Sequence, residues 1–188
     1  ALAEVDEAWL EALEELRAEY PHQLAFPRDD NFGIALLSRV PMPEGSVKFV
    51  GPSGLPSIFA TVEDDSGPWR VVVTHPIPPF DAFSFDSRNQ QFTELSEEIG
   101  SSSLPVVLLG DLNATLWSPF LSEFRRTSGL ESASSGLRAF YTWPAGLPLL
   151  APGLDHCLHS EAARPTGFRV LRSVGSDHFP ILCSISRP

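Results

Sequence analysis

Asp111 and Asn113 stand one residue apart in Leu108-Leu109-Gly110-Asp111-Leu112-Asn113-Ala114, directly after an apolar run. At the end of a strand they would point to one side. A carboxylate and a carboxamide placed there can orient a water nucleophile and hold a phosphoryl oxygen, one accepting and the other donating. The same residue types also make turns, and alone the cluster is as much a turn as a site. Gly175-Ser176-Asp177-His178-Phe179-Pro180 adds an adjacent acid and imidazole. Neighbours in extended chain face opposite ways, so Asp177 and His178 need different partners, one meeting a metal and the other a substrate phosphate. An isolated Asp-His pair is more often a hydrogen-bonded loop, and its weight here comes from company. His75 ends the apolar run Val71-Val72-Val73-Thr74, and Asp155 opens the segment Leu154 to His159. Glu4, His75, Asp111 with Asn113, Asp155, and Asp177 with His178 all fall at expected strand ends, where a sandwich of sheets can converge them into one acidic cleft.

Hydrophobic periodicity supplies the elements. Val5, Ala8, Trp9, Ala12, Leu13, Leu16 and Tyr20 follow helical spacing, with Asp6 as cap, and predict an amphipathic helix over residues 6 to 19. Ile34 to Ser38, Val47 to Val50, Ser57 to Val62 and Trp69 to Thr74 read as an antiparallel meander broken by Pro, Gly and Asp. A loop from Pro76 to Pro79 leads to a helix from about Asp86 to Ile99. Leu104 to Leu109 reads as a strand buried on both faces. Ser118 and Pro119 open a short helix over 119 to 127, which Gly129 stops. Strands follow at Leu154 to His159, Phe168 to Ser173 and Pro180 to Ser186, after a loop from Ser132 to Pro152. Strands outnumber helices, which predicts an α+β fold: a two-layer sandwich of mainly antiparallel strands flanked by helices.

Length and composition limit the alternatives. The 188 residues, 43% hydrophobic, suffice for one core, and a single domain over 1–188 is expected. No apolar run approaches a membrane span, and the first residues lack the basic start of a signal peptide, so the chain reads as soluble. Cys157 and Cys183 are far apart and lack metal-ligand spacing, and read as buried free thiols. The net charge of -11 is concentrated in the first helix, and the only lysine is Lys48. Tight binding of long nucleic acid neutralises phosphates with many basic groups, so that partner is disfavoured.

The order of these motifs resembles the endonuclease/exonuclease/phosphatase superfamily, and within it a bacterial group whose members often carry membrane segments before the catalytic domain. The resemblance rests on Leu2-Ala3-Glu4-Val5-Asp6, Gly33 to Arg39, Thr74-His75-Pro76, Arg88 to Gln91, Gly110 to Ala114, Thr142-Trp143-Pro144, Leu154-Asp155-His156 and Gly175 to Pro180. It implies a DNase I-like αββα fold and a hydrolase of phosphodiester or phosphomonoester bonds dependent on Mg²⁺ or Mn²⁺. By the resemblance Glu4 binds the metal with Asp177 nearby. Asp111 and Asn113 orient water and phosphate, Asp155 pairs with His178, and His75 serves the phosphate or leaving-group side. Oxygen ligands suit Mg²⁺ and Mn²⁺ on chemical grounds as well. Family members also begin with a strand bearing a metal- or phosphate-binding Asn or Asp well before the glutamate. With Glu4 in fourth place that strand is expected to be missing, leaving an N-terminally truncated domain that is either a fragment, tethered in the whole protein by a membrane segment, or a shortened member. An edge-strand homodimer would follow from the exposed edge. An inactive or weakly active member acting in binding or assembly is the alternative, and an acidic structural module without convergent polar groups is a third.

Overall fold

The computed structural model describes residues 1–134, 140–146 and 152–187. In chain order its elements are β1 (Leu2–Ala3), α1 (Glu7–Leu13), β2 (His22–Phe26), β3 (Ile34–Ser38), β4 (Glu44–Val50), β5 (Leu55–Asp64), β6 (Gly67–Thr74), α2 (Ala82–Gly100), β7 (Val106–Asp111), α3 (Pro119–Ser128), β8 (Leu130–Ser132), β9 (Asp155–Ser160), β10 (Arg164–Val170) and β11 (Ile181–Ser186). Most of the expected strands are present, extended by a few residues where the ladder continues past the apolar stretch. β4, β5 and β6 form the expected meander. β6 and β7 then run parallel, the only parallel pair described, because α2 carries the chain back between them.

Six strands form the central sheet in the order β4-β5-β6-β7-β9-β8, beside a three-stranded sheet β1-β3-β2 and a two-stranded hairpin β10-β11. Helices α2 and α3 cover one face of the central sheet. Phe92, Leu95 and Ile99 from α2 and Leu121 and Phe124 from α3 pack there with Phe59, Val72, Leu108 and Leu158. On the opposite face, Ile34 and Leu36 of β3 meet Ile58, Ala60 and Val73. This is the expected α+β arrangement of sheets flanked by helices, with strand ends from both layers brought to one side.

Some elements differ from their sequence patterns for identifiable reasons. The first helix stops at Leu13 and continues only as a 3₁₀ turn from Glu14 to Leu16. Trp9 and Leu16 remain exposed, so little burial supports it, and Glu7, Glu11 and Glu15 repel along one face at i,i+4 spacing. Helix α2 begins a turn earlier than its apolar face indicates, because Asp81 and Ser84 form a capping box. Strand β2, flanked by Pro21 and Pro27, lacked a clean alternation and was not expected. Nor was β8, which ends at Ser132, where the stretch read as loop begins. The rest of that stretch lies partly outside the described residues. The β7 strand is not buried on both faces: Val106 and Leu108 are buried, whereas Val107 and Leu109 line a cavity of about 270 Å³ between the sheets.

Two glycines make the delivery of site residues possible. A Cβ on Gly110 would lie 1.9 Å from the Thr74 carbonyl oxygen, so only glycine lets β7 pass β6 just before Asp111. A Cβ on Gly33 would lie 1.8 Å from the Val5 carbonyl oxygen, where the segment carrying Glu4 crosses β3. Gly110→Ala is therefore expected to lower stability by about 1–3 kcal/mol, the scale of overpacking a tight contact. Chemical denaturation would measure it, and a wild-type midpoint would show that β6 and β7 separate at no cost.

Candidate functional site

His75 and Asp111 follow or end the parallel pair β6 and β7, and Asp155 opens the neighbouring β9. His178 lies in the loop before β11. The seven residues singled out in the sequence meet at this end of the sandwich. His178 Nδ1 bonds Asp155 Oδ2 at 2.8 Å, fixing the ring so that Nε2 faces Asp111 Oδ2 at 3.8 Å. His75 Nε2 faces the same oxygen at 3.6 Å. Both separations exceed a hydrogen bond, so the two Nε2 atoms and Oδ2 converge without being committed to one another.

The two oxygens of Asp111 are not equivalent. Oδ1 accepts the Asn113 backbone N–H at 2.8 Å, and Oδ2 is directed at the imidazoles. Asn113 has φ +48° and so turns the chain left-handed instead of continuing the strand alternation. The turn reading and the functional reading of this motif hold together. Asn113 Nδ2 donates to the Pro76 carbonyl at 2.9 Å, joining the loops after β6 and β7. Asp177 takes a partner different from those of His178. Its Oδ2 accepts the Trp143 Nε1–H at 3.1 Å, and its charge acts on Glu4.

Burial and neighbouring charge set distinct protonation states. Asp111, only 7% exposed, is pushed up to about 7, first by burial and then by the Asp155 charge. Burial pushes His75 down to about 4, with help from the positive field of His178. Burial also opposes charge on His178, but the hydrogen bond and charge of Asp155, with Asp111 and Asp177, overcome it and raise the imidazole to about 9. Glu4 remains open to solvent at the rim, and its carboxyl is raised by partial desolvation and by Asp177. At neutral pH the cluster thus holds one imidazolium, one neutral imidazole and an Asp111 poised to exchange a proton. Among the described residues no three His, Cys, Asp or Glu side chains form a ready metal cage.

Several positioning residues had no role assigned from sequence. Thr142 Oγ1 accepts the N–H groups of Leu154 at 2.9 Å and Asp155 at 3.2 Å, while its carbonyl accepts Phe179 N–H at 2.8 Å. One buried residue thereby holds both partners of the His178–Asp155 bond. Arg88 donates to the Asn113 carbonyl at 2.8 Å, and buried His156 bonds the Ala114 carbonyl at 2.7 Å. The motifs containing Thr142, Arg88 and His156 were visible in sequence, but their contacts are long-range.

The sequence signature of the Endonuclease/Exonuclease/phosphatase family matches residues 1–178. Among solved structures, the human Nocturnin catalytic domain with bound sulfate is similar at 21% identity and TM-score 0.79, over 100% of this chain and 79% of that one. An endonuclease/exonuclease/phosphatase from Bacteroides vulgatus is 16% identical at TM-score 0.80, over 99% and 83%. TDP2 of D. rerio complexed with a single strand DNA product is 15% identical at TM-score 0.78, over 98% and 84%. No curated protein sequence matches the chain at comparable significance.

The His178 pKa fixes a pH dependence. Its folded value of about 9 exceeds the ordinary 6.5, so the folded state binds more protons between them. This contribution to stability is complete below pH 6.5 and is lost as pH rises to 9. In the metal-free chain, Asp155→Asn is expected to flatten that alkaline loss and return the His178 NMR titration towards 6.5. A His178 titration unmoved by the substitution would break the assignment.

Proposed function

We propose an activity for a chain that belongs to the Endonuclease/Exonuclease/phosphatase family: divalent-metal-dependent hydrolysis of a phosphodiester or phosphomonoester. Members of the family are hydrolases of phosphoester bonds. The observation that carries the reading is the placement of Asp111 Oδ2 between two imidazole nitrogens of different charge, at 3.6 and 3.8 Å.

Asp111 is the group that takes a proton from the attacking water. Its Oδ1 is held by Asn113 N–H, which leaves Oδ2 as the acceptor, and a carboxyl near 7 is matched to neutral pH. His178, kept protonated by Asp155, presents Nε2–H to a phosphoryl oxygen and offsets charge that grows in the transition state. His75, buried and neutral, offers Nε2 on the other side of Asp111, where it can bond a phosphoryl or leaving oxygen. Asn113 has a second amide hydrogen free to donate beyond its bond to Pro76.

Glu4 and Asp177 fit a hard cation. Two carboxylates close enough for one to raise the other's pKa are a repulsive pair that a cation relieves, and Mg²⁺ is commonly held by one or two carboxylates and waters. When bound there, Mg²⁺ or Mn²⁺ supplies Lewis-acid stabilisation of phosphoryl charge. A compact phosphoester suits the surface better than a long nucleic acid, since Lys48 is paired with Glu98 and the net charge is -11. Among the described residues no helix is long and apolar enough to cross a membrane.

Hydrolysis of bis-p-nitrophenyl phosphate is expected with Mg²⁺ or Mn²⁺ and not with EDTA. His178→Ala and Asp111→Ala should each lower turnover at least ~100-fold in protein that remains folded by circular dichroism. Folded variants with unchanged turnover would refute the roles. A folded wild-type chain inert with both cations would favour binding or assembly.

Glu4→Gln and Asp177→Asn are expected to weaken Mn²⁺ binding by calorimetry or paramagnetic relaxation, each by about tenfold or more. Equal Mn²⁺ affinity in both would remove the cation from these two carboxylates.

A further inference from the structure

We infer that Cys157 and Cys183 are an oxidation site, forming a reversible disulfide that ties the β10–β11 hairpin to the central sheet. They are the only two cysteines of the chain. Cys157 lies on β9 and Cys183 on β11, in different sheets that share no backbone ladder. Yet both side chains line the same cavity of about 270 Å³, whose wall is mainly Val62, Trp69, Val71, Val107, Leu109 and Ile185, with Asp64 as its one charged member. There each thiol acts on the ionisation of the other, pushing Cys157 up and Cys183 down, as close neighbours do. In a wall this apolar the two sulfurs have each other as their natural partners.

Their exposures differ in the way stepwise oxidation requires. Cys183 is half-buried and reachable from solvent, whereas Cys157 is buried behind it. With oxidised glutathione as the oxidant, the Cys183 thiolate attacks one glutathione sulfur and breaks its S–S bond. The departing glutathione thiolate takes up a proton. Cys157 then loses its proton and attacks the Cys183 sulfur, releasing the second glutathione, which is protonated in turn. Two protein thiols are oxidised and one glutathione disulfide is reduced to two glutathiones. Closing the bond shortens the sulfur contact to about 2.05 Å, and the free volume beside the thiols lets β11 settle towards β9 without displacing packed atoms.

The loop so closed contains β10, the Asp177–His178 segment and the first half of β11. A two-stranded hairpin is marginal by itself, so a covalent tie to β9 restrains an element otherwise held by side-chain packing. The disulfide is expected to raise the melting temperature by roughly 5–10 °C, from loop closure in the unfolded chain.

The full chain would be incubated with oxidised glutathione, and free thiols, intact mass and melting temperature followed, with Cys157→Ser and Cys183→Ser alongside. The expected result is loss of both thiols, a monomer lighter by two hydrogens, and a melting rise that dithiothreitol reverses and both variants lack. Cys157→Ser should instead retain one glutathione on Cys183. In wild type, a persistent glutathione adduct, disulfide-linked dimers or two unreacted thiols would each overturn the inference.

Discussion

The 2.8 Å hydrogen bond between His178 Nδ1 and Asp155 Oδ2 joins two parts of the chain that share no β-ladder. Asp155 is the first residue of β9 in the central sheet, while His178 sits on the loop feeding β11. The bond does two things at once. It chooses the tautomer and charge of the imidazole, and it fixes the position of the loop that also carries Asp177. Thr142, fully buried, reinforces both sides by accepting from Asp155 N–H and bonding Phe179 through its carbonyl. Charge state and geometry at this site therefore rise and fall together.

The electrostatics of the cluster are unbalanced towards negative charge. Glu4, Asp111, Asp155 and Asp177 surround one imidazolium, and His75 is held neutral by burial. Burial first, and then this excess of negative charge, favours the protonated form of Asp111. A cation at Glu4 and Asp177 would lower the repulsion further and release Asp111 for proton transfer nearer neutrality, so cation and proton compete for the same excess charge. On the proposed reading, an anionic phosphoryl group entering the cleft would meet His178 from one side and need that excess relieved on the other.

How much of this was legible depended on the range of the interactions involved. The seven residues singled out from sequence could be grouped because each lies beside the start or end of an apolar segment, and strand alternation and burial are local signals. Helix α3 was legible for the same reason, with Ser118, Pro119 and Gly129 marking it within the segment itself. The length of α1 was not, because its apolar spacing is helical while Trp9 and Leu16 find nothing to cover them. Strand β2 is set by pairing to β3 and not by its own pattern. The positioning roles of Thr142, Arg88 and His156 link positions 12 to 42 residues apart in the hydrogen bonds they make, and composition at one end carries no trace of the other.

The hairpin β10–β11 sets the limit on how firmly the site is assembled. Its ladder is internal, so its attachment rests on contacts made by side chains and loops, and four of these are Phe168 edge-on to Phe140 at 5.1 Å, Arg187 over Trp69 at 5.2 Å, and the Trp143–Asp177 and His178–Asp155 hydrogen bonds, beside the backbone bonds of Phe179 and Asp177 to the 142–145 segment. Two of these four belong to the site itself. Loosening the hairpin thus removes His178 from Asp155, and losing the His178–Asp155 bond in turn loosens the hairpin. Such mutual dependence makes the site cooperative with its own scaffold: β7 and β9, bonded into the middle of the central sheet, hold Asp111 and Asp155 in place, while the histidine and aspartate opposite them are held only as tightly as the hairpin is packed.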